Sequence, residues 1–273
     1  MLHGDPHDVM TRWARREVLT ARKWRTDRSR HIRENPGILL RSDEIGQHRP
    51  MRTISIETPV GVALAHLNPV DTPRGALVLG HGAGGGIGAP DLVAVSGAAH
   101  DAGFTVILVE QPYRVAGRRA PPRPPSLDAA WTTVIDHLRL DELGPLEGRP
   151  LVVGGRSSGA RVACRTAAAV GATRVLCLAF PLQPPRRNGK PAAPSRSSEL
   201  DQVTVPVLVL QGDHDPFGTP PAAASRTVVI VAGDHSLKSG LAAVAAATRT
   251  WLTDAAGGVA PQGDAARVDA IFS

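Results

Sequence analysis

The chain has 273 residues, a formal net charge of +6, and 42% hydrophobic but only 3% aromatic residues. That length holds one large α/β domain or two small ones, and the apolar share is enough for a buried core, which excludes a disordered or fibrous chain. No run of about eighteen apolar residues is present, so no membrane-spanning helix is expected, and two cysteines are too few for a disulfide framework.

Residues 1–50 differ from the rest. Eleven Lys/Arg against seven Asp/Glu place +4 of the net charge there. The stretch is weakly amphipathic, lacks the apolar core of a signal peptide and carries no nucleic-acid-binding signature. A mobile extension is expected rather than a nucleic-acid or membrane-surface arm. A folded domain is expected over residues 51–253, followed by a loose tail over 254–273.

From Met51 the pattern becomes regular. "TISIET" and "GVALAHL" are short β-like segments around Pro59, Val60 and Gly61, a hairpin signal. "GALVLGHGAGGGIG" reads as a buried strand and a glycine loop, and residues 91–101 as a helix. "FTVILVEQPY" is a second buried strand. "SLDAAWTTVIDHLR" predicts a helix from Ser126. "RPLVVGG" is a strand, and 158–170 an Ala-rich helix. "RVLCLAFPL" is another strand, and Pro181–Ser198 a loop rich in Pro, Arg and Ser. "VPVLVLQGDHD" is a strand ending in acids, "RTVVIVAGDHS" a strand ending in a histidine, and 239–253 a closing helix. Continuous apolar strands alternating with helices imply an α/β fold: a mostly parallel central sheet with helices on both faces. Functional residues are then expected at the carboxyl ends of the strands.

Two glycine motifs compete for the function. Gly155-Arg156-Ser157-Ser158-Gly159 lies between a strand and a helix. A turn this tight forces Ser157 into an unfavourable backbone conformation and projects its hydroxyl above the sheet. The plainer reading is a serine that caps the helix. Gly80-His81-Gly82-Ala83-Gly84-Gly85 fits a dinucleotide fingerprint, with Glu110 where a ribose-binding acid would sit. Against that, a hairpin precedes this strand. A glycine loop there also suits acyl transfer, which needs a backbone N–H for an oxyanion. No Gly-Lys-Ser/Thr follows, which excludes a P-loop.

A serine nucleophile needs a base, and the base an orienting carboxylate. His235 follows the last predicted strand. Asp213 and Asp215 follow the strand before it, and either is placed to serve as the acid. His81 reads as structural. The cluster of Asp213, His214, Asp215, Asp234 and His235 has no recognised metal-ligand spacing. Cys164 and Cys177 sit in apolar segments and read as reduced core thiols, which suits a cytoplasmic protein.

Taken together, "LGHGAGGG", "VEQPY", "VVGGRSSGARVA", "LAFPLQPP", "VPVLVLQGDHDPFG" and "VAGDHSL" resemble the α/β-hydrolase fold superfamily over roughly residues 53–253. More narrowly, the chain resembles capless bacterial predicted alpha/beta-hydrolases. These are related to dienelactone hydrolases and to the hydrolase-like subunit of the NSL chromatin complex. The resemblance implies an α/β-hydrolase fold with minimal or no cap, Ser157 as nucleophile and His235 as base. It implies Asp215 as the acid, with Asp213 the fallback, and the backbone N–H groups of Ala83 and Ser158 as the oxyanion hole. Ser158 is smaller than the residue the family commonly has after the nucleophile, which leaves the backbone donor intact and alters the pocket.

The expected activity is that of a carboxylesterase-like serine hydrolase acting on a small-molecule acyl substrate. No cofactor, metal, nucleic acid or membrane is expected. A non-catalytic interaction protein on the same fold is the alternative, and a dinucleotide-binding enzyme a more distant one. Tyr113, Arg114, Arg118 and Arg119 are candidates for the substrate mouth. Arg156 is another, unless it pairs with an acid of a neighbouring helix. Arg186, Arg187, Lys190 and Arg196 belong either to a solvated loop or to a lid edge that attracts acidic substrates.

Overall fold

The computed structural model describes residues 51–143, 148–185 and 193–256, with only the backbone for 255 and 256. The expected N-terminal extension, Arg186, Arg187 and Lys190, and residues 257–273 lie outside the described residues.

Strands β1 (Arg52–Thr58) and β2 (Gly61–Asn68) form the expected hairpin, with Thr58 opposite Gly61 across Pro59 and Val60. In β2 the buried residues alternate: Ala63, Ala65 and Leu67 face the core. That period of two marks a strand with one covered face. β3 (Gly75–Gly80) and β7 (Val207–Gly212) are buried at every position, as strands covered on both faces must be. With β4 (Phe104–Glu110), β5 (Leu151–Arg156), β6 (Arg174–Leu178) and β8 (Arg226–Val231) they form one eight-stranded sheet, in the order β1-β2-β4-β3-β5-β6-β7-β8. Only the β1–β2 and β2–β4 pairings are antiparallel. From β4 through β8 all neighbours run parallel.

Helices cover both faces. On one lie α1 (Pro90–Asp101) and α6 (Leu241–Ala256); on the other lie α3 (Pro124–His137) and α4 (Ser158–Thr166). Two further helices, α2 (Pro112–Val115) and α5 (Ser197–Asp201), are short. Alternate residues of β3 feed the two layers. Ala76 and Val78 pack with Trp131, Val134 and Ala160, while Leu77 and Leu79 pack with Leu92, Val95 and Val244.

Helix ends depart slightly from the sequence reading. α3 starts at Pro124 rather than Ser126, because proline is well suited to the first helical turn, where its missing N–H has no partner to lose. α4 ends at Thr166 instead of residue 170, and residues 167–170 continue as turns up to Gly171, where φ is 56°. The closing helix runs from Leu241 to Ala256 behind a 3-10 turn at Lys238–Gly240, so the expected tail begins inside its last turn.

Because β3 to β8 are parallel, their carboxyl ends share one edge of the sheet. The three non-glycine residues with positive φ among the described residues are Ser157, Ala179 and Leu237. They follow β5, β6 and the histidine loop after β8. Backbone strain is therefore concentrated at this edge, as it commonly is around functional sites.

Candidate active site

The turn after β5 is made possible by its glycines. A Cβ on Gly155 or on Gly159 would stand 2.3 Å from the Gly80 carbonyl oxygen. Only glycine at both positions lets the end of β5 and the start of α4 press against the end of β3. Between them Ser157 is held at φ 52° and ψ −106°. Its N–H donates to the Leu178 carbonyl of β6, at 2.9 Å. Ser157 occupies the position before α4, yet its side chain makes no capping hydrogen bond. The reading as an ordinary helix cap therefore fails.

The hydroxyl turns instead to His235. Ser157 Oγ lies 2.9 Å from His235 Nε2, and His235 Nδ1 lies 2.8 Å from Asp215 Oδ2. An ionised carboxylate only accepts, so Nδ1 carries the imidazole proton and Nε2 is left to accept from the serine. The Asp215 side chain is fully buried. It is held by two further donors: Gln211 Nε2 to Oδ2 at 2.8 Å, and the Phe217 N–H to Oδ1 at 2.9 Å. The Phe217 ring also lies against the imidazole, with centroids 4.4 Å apart. Neither Gln211 nor Phe217 was singled out in the sequence. Their signal was limited to closeness to the acid in "LQGDHDPFG".

The choice between the two aspartates follows from these contacts. Asp213 accepts from the Gly233 N–H and pairs with His214, both at 2.8 Å, on the exposed side of the loop. The Gly233 N–H holds its carboxyl below the usual range, with help from His214. Asp234 accepts from the N–H and hydroxyl of Ser236 within its own turn. Only Asp215 reaches His235.

The glycine loop after β3 lies beside Ser157. A Cβ on Gly82 would meet Arg156 Nη1 at 2.8 Å and Ser157 Cβ at 3.7 Å. His81 is buried, with Nδ1 2.9 Å from the Gly82 carbonyl. Its Nε2 accepts from the Gln111 N–H at 3.1 Å. Burial lowers its pKa, so it stays neutral and structural. The Tyr113 hydroxyl donates to the Ala83 carbonyl at 3.0 Å, which fixes the peptide next to the expected oxyanion donor. Ser158 is the first residue of α4, where backbone N–H groups lack partners within the helix.

Several residues expected at the substrate mouth make contacts within the fold. Tyr113 is 3% exposed, and its hydroxyl holds the glycine loop. Arg114 reaches the Arg118 carbonyl, at 3.5 Å. Arg118 and Arg119 are exposed. Arg196 donates to the Pro181 carbonyl at 2.9 Å, bracing its own loop. Arg156 takes the alternative the sequence left open. Its Nε lies 2.9 Å from Oδ2 of Asp91, whose side chain is fully buried in the first turn of α1. The approach is too oblique for a good hydrogen bond, since Oδ2 gains no properly directed donor. Burial pushes the Asp91 carboxyl up, and the Arg156 charge opposes it. Arg156 Nη2 donates to the His235 carbonyl at 2.8 Å. The guanidinium thus ties the serine turn to the histidine loop.

The dinucleotide reading loses its geometric support. α1 begins at Pro90, well beyond the glycines that should open it, and Glu110 pairs with His66 at 3.4 Å. Among the described residues, no group of three or more His, Cys, Asp or Glu could hold a metal ion, and no helix is long and apolar enough to cross a membrane.

An alpha/beta hydrolase domain family matches residues 73–256 of the chain. Among solved structures, the chain is similar to an α/β serine hydrolase without lid from Xanthomonas campestris. The two are 19% identical with a TM-score of 0.58, over 75% of this chain and 94% of that one. A dienelactone hydrolase from Anabaena variabilis is 17% identical with a TM-score of 0.58, over 76% and 98%. An esterase domain from Rhodothermus marinus is 14% identical with a TM-score of 0.55, over 76% and 99%. At such identities these likenesses speak for the fold. No curated protein matches the sequence.

Proposed function

The chain belongs to the alpha/beta hydrolase domain family, and from that premise we propose that it is a serine hydrolase cleaving an ester or related acyl bond through an acyl-serine intermediate. The observation that carries this reading is the unbroken relay from Ser157 to His235 to Asp215, at 2.9 and 2.8 Å. A free serine hydroxyl is a poor nucleophile at neutral pH, and an imidazole fixed in the accepting tautomer removes that barrier.

Ser157 Oγ attacks the substrate carbonyl carbon while its proton passes to His235 Nε2. Buried Asp215 stabilises the imidazolium that forms. The carbonyl oxygen becomes an oxyanion, received by the N–H groups of Ala83 and Ser158. Each such donor is worth about 3–4 kcal/mol at the transition state. The intermediate collapses as His235 returns the proton to the leaving alcohol. His235 then takes a proton from water as the water oxygen attacks the acyl carbon, and when this second intermediate collapses His235 returns the proton to Ser157 Oγ and the acid departs.

The direct test is a fluorophosphonate probe with intact-mass and peptide-mapping readout, run beside Ser157→Ala. One adduct on Ser157, absent from the folded variant, is expected. A folded wild-type protein that takes no adduct speaks instead for an interaction protein on this fold.

A further inference from the structure

The nucleophile Ser157, the base His235 and the expected oxyanion donor Ala83 sit on three loops, after β5, β8 and β3. Catalysis needs these groups in register, since a misplacement of about 1 Å can cost about 100-fold in rate. The glycine loop after β3 is the least able to hold itself. Gly84, Gly85, Gly86 and Gly88 have open space where a Cβ would stand, so no close packing fixes them. Glycine backbone also loses the most freedom when it is ordered. The histidine loop carries strain of its own, with Leu237 at φ 53°.

One side chain touches all three loops. Arg156 precedes Ser157, so its own backbone is part of the serine turn. Its Nη2 donates to the His235 carbonyl at 2.8 Å. Its Nη1 lies against the face of Gly82, where a Cβ would come within 2.8 Å of it. Its Nε lies 2.9 Å from Oδ2 of Asp91. Asp91 is in the first turn of α1, where the glycine loop ends. The guanidinium therefore meets that loop at both ends and the histidine loop between them. Each of its three nitrogens faces a different partner. The Arg156 side chain is 16% exposed and that of Asp91 fully buried, so the pair lies behind the relay as a fixed charge and counter-charge. A planar guanidinium suits this place because its donors form a rigid fork. A lysine ammonium carries the same charge on one atom and cannot reproduce the spread.

We propose that Arg156 is a positioning residue: anchored by Asp91, its guanidinium sets the histidine loop and the glycine loop against the serine turn, and it acts through His235 and the oxyanion hole rather than on the substrate. This rests on the serine hydrolase reading.

The test is the second-order rate at which a fluorophosphonate labels Ser157, read by intact mass, beside a thermal melt of each protein. Arg156→Lys keeps a charge opposite Asp91 and loses the fork. It is expected to melt close to wild type and to label about 10- to 100-fold more slowly. Removing one partner of a buried ion pair strands the other charge. The second variant therefore removes both, as Asp91→Asn with Arg156→Met, and leaves the His235 carbonyl without its side-chain donor. It should label as slowly. A merely structural role predicts the opposite for lysine: with the charge restored, labelling returns. A folded lysine or double variant that labels within about threefold of wild type overturns the positioning role and leaves the hydrolase reading standing. Losses that follow the fall in melting temperature from one variant to the next, or variants that do not fold, make the pair a structural element and overturn the role as well. Folded wild-type protein that takes no label overturns the hydrolase reading itself, and this proposal with it.

Discussion

Asp213 and Asp215 are two residues apart and have opposite surroundings. Asp215 is buried and accepts from Gln211, Phe217 and His235, whereas Asp213 is half-exposed and holds the turn through Gly233. Asp215→Asn presents a donor where the His235 Nδ1 proton needs an acceptor. The imidazole then favours the tautomer that cannot take the serine proton. Turnover of whichever ester proves to be a substrate is expected to fall about 10³- to 10⁴-fold in kcat. Asp213→Asn should stay within several-fold of wild type. Equal losses in the two variants would mean that the loop, and not the relay, carries the effect. Motif and chain order brought Ser157, His235 and the acid within two candidates. Residue pattern alone left the two open and the resemblance put Asp215 first, while the donors that surround Asp215 arrive only by folding. Arg156 was harder still. Its partners, Asp91 and the His235 carbonyl, lie 65 and 79 positions away, and only the parallel sheet brings them to the serine turn.

Strands and helices were legible in their order and less so in their ends. Buried strands announced themselves as apolar runs, because parallel strands covered on both faces need no polar side. Helix boundaries shifted by a few residues, as where Pro124 opens α3 ahead of Ser126. What the sequence did not reveal is how α4, the helix behind Ser157, is anchored. Arg161 grips Glu199 of α5 through two bonds of 2.7 and 2.6 Å. Arg165 reaches Glu199 at 3.2 Å and grips Asp128 of α3 at 2.6 and 2.8 Å. Burial pushes the Glu199 carboxyl up, but the two guanidinium groups outweigh it and hold it below the ordinary 4.5. Hydrogen bonds to charged groups contribute about 1.5–3 kcal/mol, so Glu199→Gln should lower stability by roughly that amount at pH 7. The sign with pH follows from linkage. A carboxylate with a depressed folded pKa stabilises fully above its unfolded value and loses that contribution as pH falls through the folded one. The melting gap between wild type and Glu199→Gln is therefore expected to be widest near neutrality and to close as the pH drops below about 4.5. Thermal melts across pH 3–7 measure it, and a constant gap would mean that packing rather than charge anchors the helix.

For the molecule as a whole, the sheet binds its two layers into one structure, and the two cysteines report on it. Cys164 lies on α4 and Cys177 on β6, with their sulfurs 3.5 Å apart, both buried and unbridged. They meet in the apolar layer that joins the serine-bearing helix to the centre of the sheet. The hydrogen bond between the thiols pushes the Cys164 pKa well above its ordinary value, and burial adds to it. Thiol reagents attack the thiolate, so Cys164 has two barriers, a scarce thiolate and no path for a reagent, and buried Cys177 shares the second. Reaching either sulfur means separating α4 from β6, and that separation exposes the core. Both thiols are thus expected to react through global unfolding rather than local opening. In native buffer at pH 8, a disulfide reagent should find neither thiol within minutes. In full denaturant it should find two. At intermediate denaturant, both should label at one rate, with a denaturant dependence equal to that of unfolding followed by circular dichroism. The chain contains only these two cysteines, so the count is unambiguous. A thiol that labels early at a denaturant-independent rate would reveal that α4 opens on its own. The serine turn at its head would then rest on a movable element instead of the rigid frame that the buried sheet implies.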